Sequence, residues 1–196
     1  MRNLLIFLVT AAVVMLGAPS ALATPRLDSI AVGDSVMLGA KWVLEKRGVE
    51  IVDAKVSRQA VTGPGLLVKR GEDLPKYVVV HLGTNGSYTM EQCMDLIKAA
   101  GPERTVFLVT IKVPRKWEEA NNAMLRECAA KFRADRVKVL DWNALASERP
   151  ELLYADGVHL RPDGAKAFAR MITRAVTSAQ RQDATKESGV LAAQVR

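Results

Sequence analysis

Short apolar runs alternate with longer amphipathic runs along most of the chain. Five of the short runs are predicted strands: 29–32, 50–54, 77–82, 105–111 and 137–141. The run at 77–82 is rich in valine and continuous, as strands buried on both faces of a parallel sheet are. The pattern therefore predicts an α/β fold in which helices cover both faces of a parallel sheet.

The amphipathic runs between the strands predict the helices. They lie at 36–47, 66–70, 89–100 and 117–132, with a last helix that begins at Pro162. Thr89 is placed to cap its helix, and Pro162 suits a first helical turn. From Gln180 onward the chain becomes polar and loses its periodicity, so we expect residues 180–196 to form a frayed tail.

The first 23 residues have the features of a secretory signal peptide. Arg2 precedes an apolar run, 4–16, and small residues stand at Ala21 and Ala23, as signal peptidase requires. The alternative is that this segment stays in place as an N-terminal membrane anchor. In both cases the domain at 24–179 is expected outside the cytoplasm, whether secreted, periplasmic or associated with the cell wall.

Composition narrows the classes of partner. The net charge is +7, which either attracts the protein to anionic envelope polymers or only keeps it soluble. Aromatic residues are few and no compact Lys/Arg block is present, which argues against nucleic acid. Cys93 and Cys128 can pair as a disulfide outside the cytoplasm. Two cysteines and two histidines, widely spaced, indicate no metal site, and no cofactor is expected.

Polar turns follow several of the predicted strands and precede the last helix. They lie at 33–35, 57–65, 83–86 and 156–159. Because ligands of open parallel sheets bind beyond the carboxyl ends of the strands, we expect these four turns to meet at one edge.

Three side chains in these turns have the chemistry of a serine hydrolase. Ser35 needs a base to take its proton, and a carboxylate three residues before His159 can orient that imidazole. We therefore predict Ser35 as nucleophile, His159 as base and Asp156 as its partner. The simpler alternative is that Ser35 or its neighbour only caps a helix. His81 is interpreted as a structural histidine, since no carboxylate stands at a comparable spacing.

Four sequence blocks, in their order along the chain, resemble the blocks of the SGNH/GDSL hydrolase superfamily. They are Gly33-Asp34-Ser35-Val36, the loop around Ser57-Arg58-Gln59, Gly83-Thr84-Asn85-Gly86 and Asp156-Gly157-Val158-His159. The resemblance implies a three-layer α/β/α sandwich of the flavodoxin-like type, with Ser35, His159 and Asp156 in the roles given above. It also implies an oxyanion hole built from the backbone N–H groups of Ser35 and Ser57 and the side chain of Asn85.

Two positions depart from the usual pattern of that superfamily. Ser57 stands where the second block usually has glycine, and Gly86 replaces the final acid of the third block. With Val-Pro-Arg at 113–115 and Asp-Trp at 141–142, these variants resemble one branch, the extracytoplasmic SGNH domain of acyltransferase-3-linked peptidoglycan O-acetyltransferases.

The function predicted from the residues and the resemblance is that of an exported serine esterase or O-acyltransferase. Its substrate would be O-acetylated carbohydrate, such as cell-wall glycan, or another small ester, with a separate membrane acyltransferase as a candidate acyl donor. Arg115 and Trp117 are candidate substrate contacts, and the alternative is a solvated basic loop with a packed tryptophan. Trp142 is expected in the core. The alternative from another class is a noncatalytic envelope-binding or glycan-binding module on the same fold.

Overall fold

The secondary structure follows the predicted alternation of strands and helices. The computed structural model describes residues 26–194, so the predicted signal peptide lies outside the described part of the chain. The strands are β1 (Leu27–Gly33), β2 (Val49–Ala54), β3 (Tyr77–His81), β4 (Thr105–Val109) and β5 (Val137–Leu140). The α-helices are α1 (Ser35–Lys46), α2 (Gly63–Arg70), α3 (Met90–Ala100), α4 (Glu118–Ala130), α5 (Trp142–Glu148) and α6 (Pro162–Gln194). Short 3-10 helices lie at Ala60–Thr62, Gly71–Asp73 and Pro150–Leu152.

The five strands form one sheet in the order β2-β1-β3-β4-β5, and every neighbouring pair is parallel. This is the flavodoxin-like order, in which the direction of winding reverses between β1 and β3. The predicted fold, a three-layer sandwich around a five-stranded parallel sheet, is confirmed.

Each strand contributes side chains to two separate cores, one on each face of the sheet. Ala31, Val79 and Phe107 point to the face covered by α1, α5 and α6. Val78 and Val80 point to the opposite face, which α2, α3 and α4 cover. Because successive strand residues alternate between faces, a strand covered on both sides must be apolar throughout, which explains the continuous valine run.

The helix starts are set by side chains that cap exposed backbone N–H groups. The Asp34 carboxylate accepts from Val36 N at the start of α1. Thr89 and Gln92 form a reciprocal capping box at the start of α3, which confirms the predicted cap.

Two helical segments differ from the prediction. Helix α5 follows β5 directly and was not predicted, because seven residues are too few to show a helical period. The predicted frayed tail is wrong for residues 180–194, which continue α6. Extending a packed helix adds one hydrogen bond per residue without a new nucleus, so an exposed, polar sequence can stay helical. The Tyr77 hydroxyl also donates to Asp183 at 3.0 Å and ties this segment to the sheet.

Helices α3 and α4 are joined by a disulfide. The sulfur atoms of Cys93 and Cys128 are 2.14 Å apart, and both residues are fully buried. Within residues 26–194, no helix is both long enough and apolar enough to cross a membrane.

Candidate active site

The polar turns that the sequence placed at one edge do meet there. Ser35 is the first residue of α1, directly after β1. His159 reaches it from a turn that lies 124 residues further along the chain. Asn85 lies in the turn after β3. Strand β3 is next to β1 in the sheet, and the direction of winding reverses between these two strands. The site therefore lies beyond the carboxyl ends of the central strands, where this fold class binds ligands.

Ser35, His159 and Asp156 form a continuous hydrogen-bonded relay. His159 Nδ1 is 2.7 Å from Asp156 Oδ2, and His159 Nε2 is 3.0 Å from Ser35 Oγ. A carboxylate accepts the proton of Nδ1, so Nε2 is left as the acceptor that faces the serine hydroxyl. This is the tautomer that a general base for Ser35 needs.

The turn that carries the acid and the base is held by its own hydrogen bonds. Asp156 Oδ1 accepts from the backbone N–H of Val158 at 2.9 Å and of His159 at 3.0 Å, which leaves Oδ2 for the imidazole. Burial acts to raise the pKa of Asp156, but the hydrogen bonds from His159 and Val158 outweigh it, so this pKa lies below its ordinary value. Asp156 is therefore an anion at neutral pH, as the orienting role requires.

The start of α1 gives Ser35 a setting that favours negative charge. The first N–H groups of a helix have no partner within the helix, and the helix dipole is positive at that end. Gly33 allows the sharp approach of β1 to α1, since a Cβ at that position would lie 2.3 Å from Met37 Cβ and 3.1 Å from the carbonyl oxygen of His81. A larger residue at position 33 would push the nucleophile out of place.

Beneath the nucleophile lies a second, fully buried pair of a carboxylate and an imidazole. His81 Nδ1 is 3.3 Å from Asp34 Oδ1, and both side chains are 0% exposed. Burial acts to raise the pKa of Asp34, but the nearby His81 ring and the Val36 N–H lower it below its ordinary value. His81 is therefore a buried histidine, as interpreted, and its neighbouring carboxylate belongs to Asp34, which lies far from it in sequence.

The second block contains a residue with a left-handed backbone conformation. Ser57 has a φ of +57° and is the one non-glycine residue among 26–194 with a positive φ. That left-handed conformation is unfavourable for residues with a Cβ and suits glycine, the residue that the second block usually has. This supports the alignment of Ser57 with the second block.

The third block brings Asn85 next to the second. Asn85 Nδ2 donates to the carbonyl oxygen of Arg58 at 3.3 Å. Gly86, which stands in place of the usual acid, has a φ of +150°, a backbone conformation that residues other than glycine rarely adopt. The replacement therefore fits the backbone of this turn.

Arg58 anchors the loop that carries Ser57. Its side chain is only 10% exposed and forms an ion pair with Asp53 Oδ1 at 2.7 Å. It also donates to the carbonyl oxygens of Gly33, at 3.2 Å, and of Asp53. The Arg58 guanidinium thus ties the second block to Gly33, the first residue of the turn that carries Ser35.

The two candidate substrate residues lie on a loop beside the catalytic turn but do not join the relay. Pro114 packs over Gly157, where a Cβ would lie 3.6 Å from the proline ring. Arg115 is exposed on this loop, and its side chain donates to the carbonyl oxygen of Pro114 at 3.3 Å. Trp117 is half-buried, with its ring N–H inside the protein. Their role in binding stays a prediction. Trp142 is fully buried, which confirms its place in the core.

The relay is open to solvent. The side chains of His159 and Asp156 are 50% and 48% exposed. An open site can accept a group that projects from a large polymer. Among residues 26–194, no cluster of three His, Cys, Asp or Glu side chains is arranged to hold a metal ion.

Solved structures with a similar fold include an O-acetyltransferase domain and a carbohydrate esterase. The C-terminal catalytic domain of Streptococcus pneumoniae peptidoglycan O-acetyltransferase A, solved with a methylsulfonyl adduct, matches with a TM-score of 0.66 at 26% identity, over 80% of this chain and 96% of that chain. A carbohydrate esterase family 3 protein from Talaromyces cellulolyticus shares the fold, with a TM-score of 0.59 at 17% identity over 78% and 98% of the two chains. No protein-family model matches the chain. The chain belongs to the SGNH/GDSL hydrolase superfamily, which confirms the resemblance seen in its sequence.

Its relatives by sequence are O-acetyltransferases. O-acetyltransferase OatA of Staphylococcus aureus (strain NCTC 8325 / PS 47) is 34% identical over 153 residues, or 76% of this chain. Peptidoglycan O-acetyltransferase OatA of Listeria monocytogenes is 33% identical over 159 residues, or 77% of this chain. The chain spans about a quarter of the length of these curated relatives. By these similarities the protein is an SGNH-type enzyme.

Proposed function

We propose that this protein is an exported serine esterase or O-acyltransferase that acts on O-acetyl groups of cell-wall glycan. The observation that carries the proposal is the relay from Ser35 through His159 to Asp156, with heavy-atom distances of 3.0 and 2.7 Å. The first contact is within the range in which His159 can take the proton of the serine hydroxyl, and the second lets Asp156 orient the imidazole.

The first half of the reaction forms an acyl-enzyme. Ser35 Oγ attacks the carbonyl carbon of the acetyl ester while His159 Nε2 takes the hydroxyl proton. The negative charge that develops on the carbonyl oxygen is stabilised by the N–H groups of Ser35 and Ser57 and by Asn85 Nδ2. When this intermediate collapses, the C–O bond to the alcohol breaks, and His159 returns the proton to the departing oxygen.

The second half of the reaction transfers the acetyl group. His159 takes a proton from water or from a sugar hydroxyl, whose oxygen attacks the acetyl carbon, and Ser35 leaves with that proton. Water yields acetate, and a sugar yields a new ester. Hydrolysis and transfer use the same side chains, so the acceptor that reaches the acyl-enzyme decides between them.

Three parts of the proposal concern the cellular setting. The predicted signal peptide would export the protein or anchor it outside the cytoplasm. The relatives named for peptidoglycan O-acetylation favour cell-wall glycan as the substrate. A separate membrane acyltransferase would supply the acetyl group for transfer, whereas esterase activity needs no such donor.

Covalent labelling tests whether Ser35 is the nucleophile of the proposed reaction. A sulfonyl fluoride should add one sulfonyl group to the purified protein, located on Ser35 by peptide mass spectrometry, and the Ser35→Ala variant should stay unlabelled. A noncatalytic module would behave differently: it would bind purified cell-wall material but form no adduct. That outcome would replace the enzyme by the envelope-binding alternative.

Acceptor competition separates the two activities. The protein is given an activated acetyl ester with and without a chitooligosaccharide, and both acetate and acetylated sugar are measured. A transferase converts acetate release into acetylated sugar as the oligosaccharide concentration rises. An esterase releases acetate at the same rate throughout and forms no acetylated sugar.

A further inference from the structure

The turn that carries Asn85 is held from below by one side chain of α4. Asn121 Nδ2 donates to the carbonyl oxygens of Gly83, at 3.0 Å, and Gly86, at 2.9 Å. Its Oδ1 accepts from the backbone N–H of Tyr88 at 2.8 Å. Asn121 is 2% exposed; its bonds to Gly83 and Tyr88 are buried, and its bond to Gly86 is partly buried.

These bonds flank Asn85 on both sides. The carbonyl groups of Gly83 and Gly86 belong to the residues two before and one after Asn85, and both glycines have positive φ values, +107° and +150°. Glycine permits such conformations without enforcing them, since it also adopts many others at similar energy. The turn therefore needs an outside partner to select one shape, and Asn121 is that partner.

An amide is the side-chain group suited to this task. It has two N–H donors and a carbonyl acceptor in one plane, and here all of these are used by the turn. A carboxylate offers no donor. An aliphatic side chain would leave two buried backbone groups and one partly buried group without this partner, which is unfavourable.

We propose that Asn121 is a positioning residue for the oxyanion hole. It does not touch the substrate; it holds the 83–88 turn so that Asn85 Nδ2 points at the oxygen that becomes charged. The inference rests on the proposed function, in which Asn85 stabilises that oxygen. A displacement of about 1 Å at a catalytic group can lower the rate by about 100-fold, so loss of Asn121 should be visible in kcat.

The adjacent residue on α4 provides a matched control. Asn122 is also buried, at 4% exposed, and also binds backbone groups, accepting from Ile111 N at 2.8 Å and donating to Ile111 O at 2.9 Å. Those bonds hold the segment after β4, not the turn that carries Asn85. Replacing either asparagine should therefore reduce stability, but only one replacement should disturb the oxyanion hole.

The test compares Asn121→Ala with Asn122→Ala in hydrolysis of an activated acetyl ester. Active sites are counted by titration with a sulfonyl fluoride, so that loss of folded protein does not appear as loss of kcat. Both variants should have a lower Tm. Asn121→Ala should lose about 10-fold or more in kcat per titrated site with KM changed by less than about threefold, because the hole acts mainly in the transition state. Asn122→Ala should keep kcat within about threefold.

A double variant shows whether Asn121 acts through Asn85. Asn85→Ala should lower kcat by about 100-fold. Adding Asn121→Ala to it should lower kcat by less than about twofold more, since the side chain being positioned is already gone. If Asn121→Ala does not fold, Asn121→Asp keeps the shape and the acceptor for Tyr88 while removing both donors, and it allows the same comparison.

The outcomes separate the two proposals. If Asn85→Ala keeps full kcat, the proposed oxyanion hole is wrong. If Asn85→Ala is impaired but the folded Asn121 variants keep full kcat, the positioning role is wrong and the hole stands. Equal losses in Asn121→Ala and Asn122→Ala, or fully multiplicative losses in the double variant, would also overturn the positioning role.

Discussion

Replacing Ser57 by glycine should stabilise the protein without loss of activity. Ser57 is exposed and has a φ of +57°, where a residue with a Cβ is disfavoured by about 1–2 kcal/mol. Glycine removes that strain but gains more freedom in the unfolded chain, which opposes the effect by about 0.5–1 kcal/mol. The net gain is about 0.5–1 kcal/mol, or a rise in Tm of about 1–4 °C for a domain of this size.

The same change tests which atom of Ser57 acts in the oxyanion hole. Glycine keeps the backbone N–H and removes only the hydroxymethyl group. We therefore expect kcat per titrated active site to stay within about twofold of the wild-type value in hydrolysis of an activated acetyl ester. Tm is measured by calorimetry on the same samples, so that stability and activity are compared on one preparation.

Two further variants at this position provide controls. Ser57→Ala also lacks the hydroxyl but keeps the strained conformation, so it should retain activity without the gain in Tm. Ser57→Val should lose both stability and activity, because a β-branched residue tolerates this conformation poorly. If Ser57→Gly and Ser57→Ala are folded yet lose 10-fold or more in kcat, the hydroxyl takes part in catalysis and the backbone assignment is wrong.

Three further predictions concern stability. Reducing the Cys93–Cys128 bond should lower the Tm by about 8–15 °C, since closing a loop of 35 residues is worth about 4 kcal/mol in the chain-entropy model. Calorimetry with and without a phosphine reductant measures this difference, and an unchanged Tm would contradict the prediction. Burial acts to raise the pKa of Asp53, but two arginines outweigh it and hold this pKa below its ordinary value, so its contribution to stability is present at neutral pH and is lost as the pH falls through the lowered pKa. Urea unfolding should therefore show the stability gap between wild type and Asp53→Asn shrinking from about pH 6 to pH 3, and a constant gap would count against the ion pairs. Tyr77→Phe removes the hydrogen bond to Asp183, so it should cost about 1 kcal/mol and speed hydrogen exchange in residues 180–189, whereas unchanged exchange there would show that this bond does not hold the end of α6.

The features that the sequence could predict are those with a local or periodic signal. A strand covered on both faces is continuous in apolar residues, so the five strands were located within a few residues of their observed ends. Ser35 and His159 could be proposed as partners although they are 124 residues apart, because turns after parallel strands converge at one edge of the sheet. Neither inference needs any knowledge of side-chain packing.

Two of the features that escaped prediction depend on contacts between distant parts of the chain. Gly33 and His81 are register partners of β1 and β3, which puts Asp34 next to the His81 ring although the two are far apart in sequence. Asn121 lies within an ordinary helical pattern, and nothing in its local sequence shows that it faces a turn of β3. Such partners follow from the strand register and the angle of helix packing, and no short sequence pattern contains either.

The two departures from the superfamily pattern, at positions 57 and 86, both fall where the backbone has a positive φ. At position 57 this chain has serine where the superfamily usually has glycine, yet the backbone has a conformation that favours glycine. At position 86 an acid becomes glycine, and the backbone takes a φ of +150°. Stabilisation in the proposed oxyanion hole depends on where N–H groups point, so a block can differ in residue type and still have a backbone conformation suited to that role. Judging such a site by identity of letters alone would have ranked Ser57 as a mismatch, whereas its φ value supports the match.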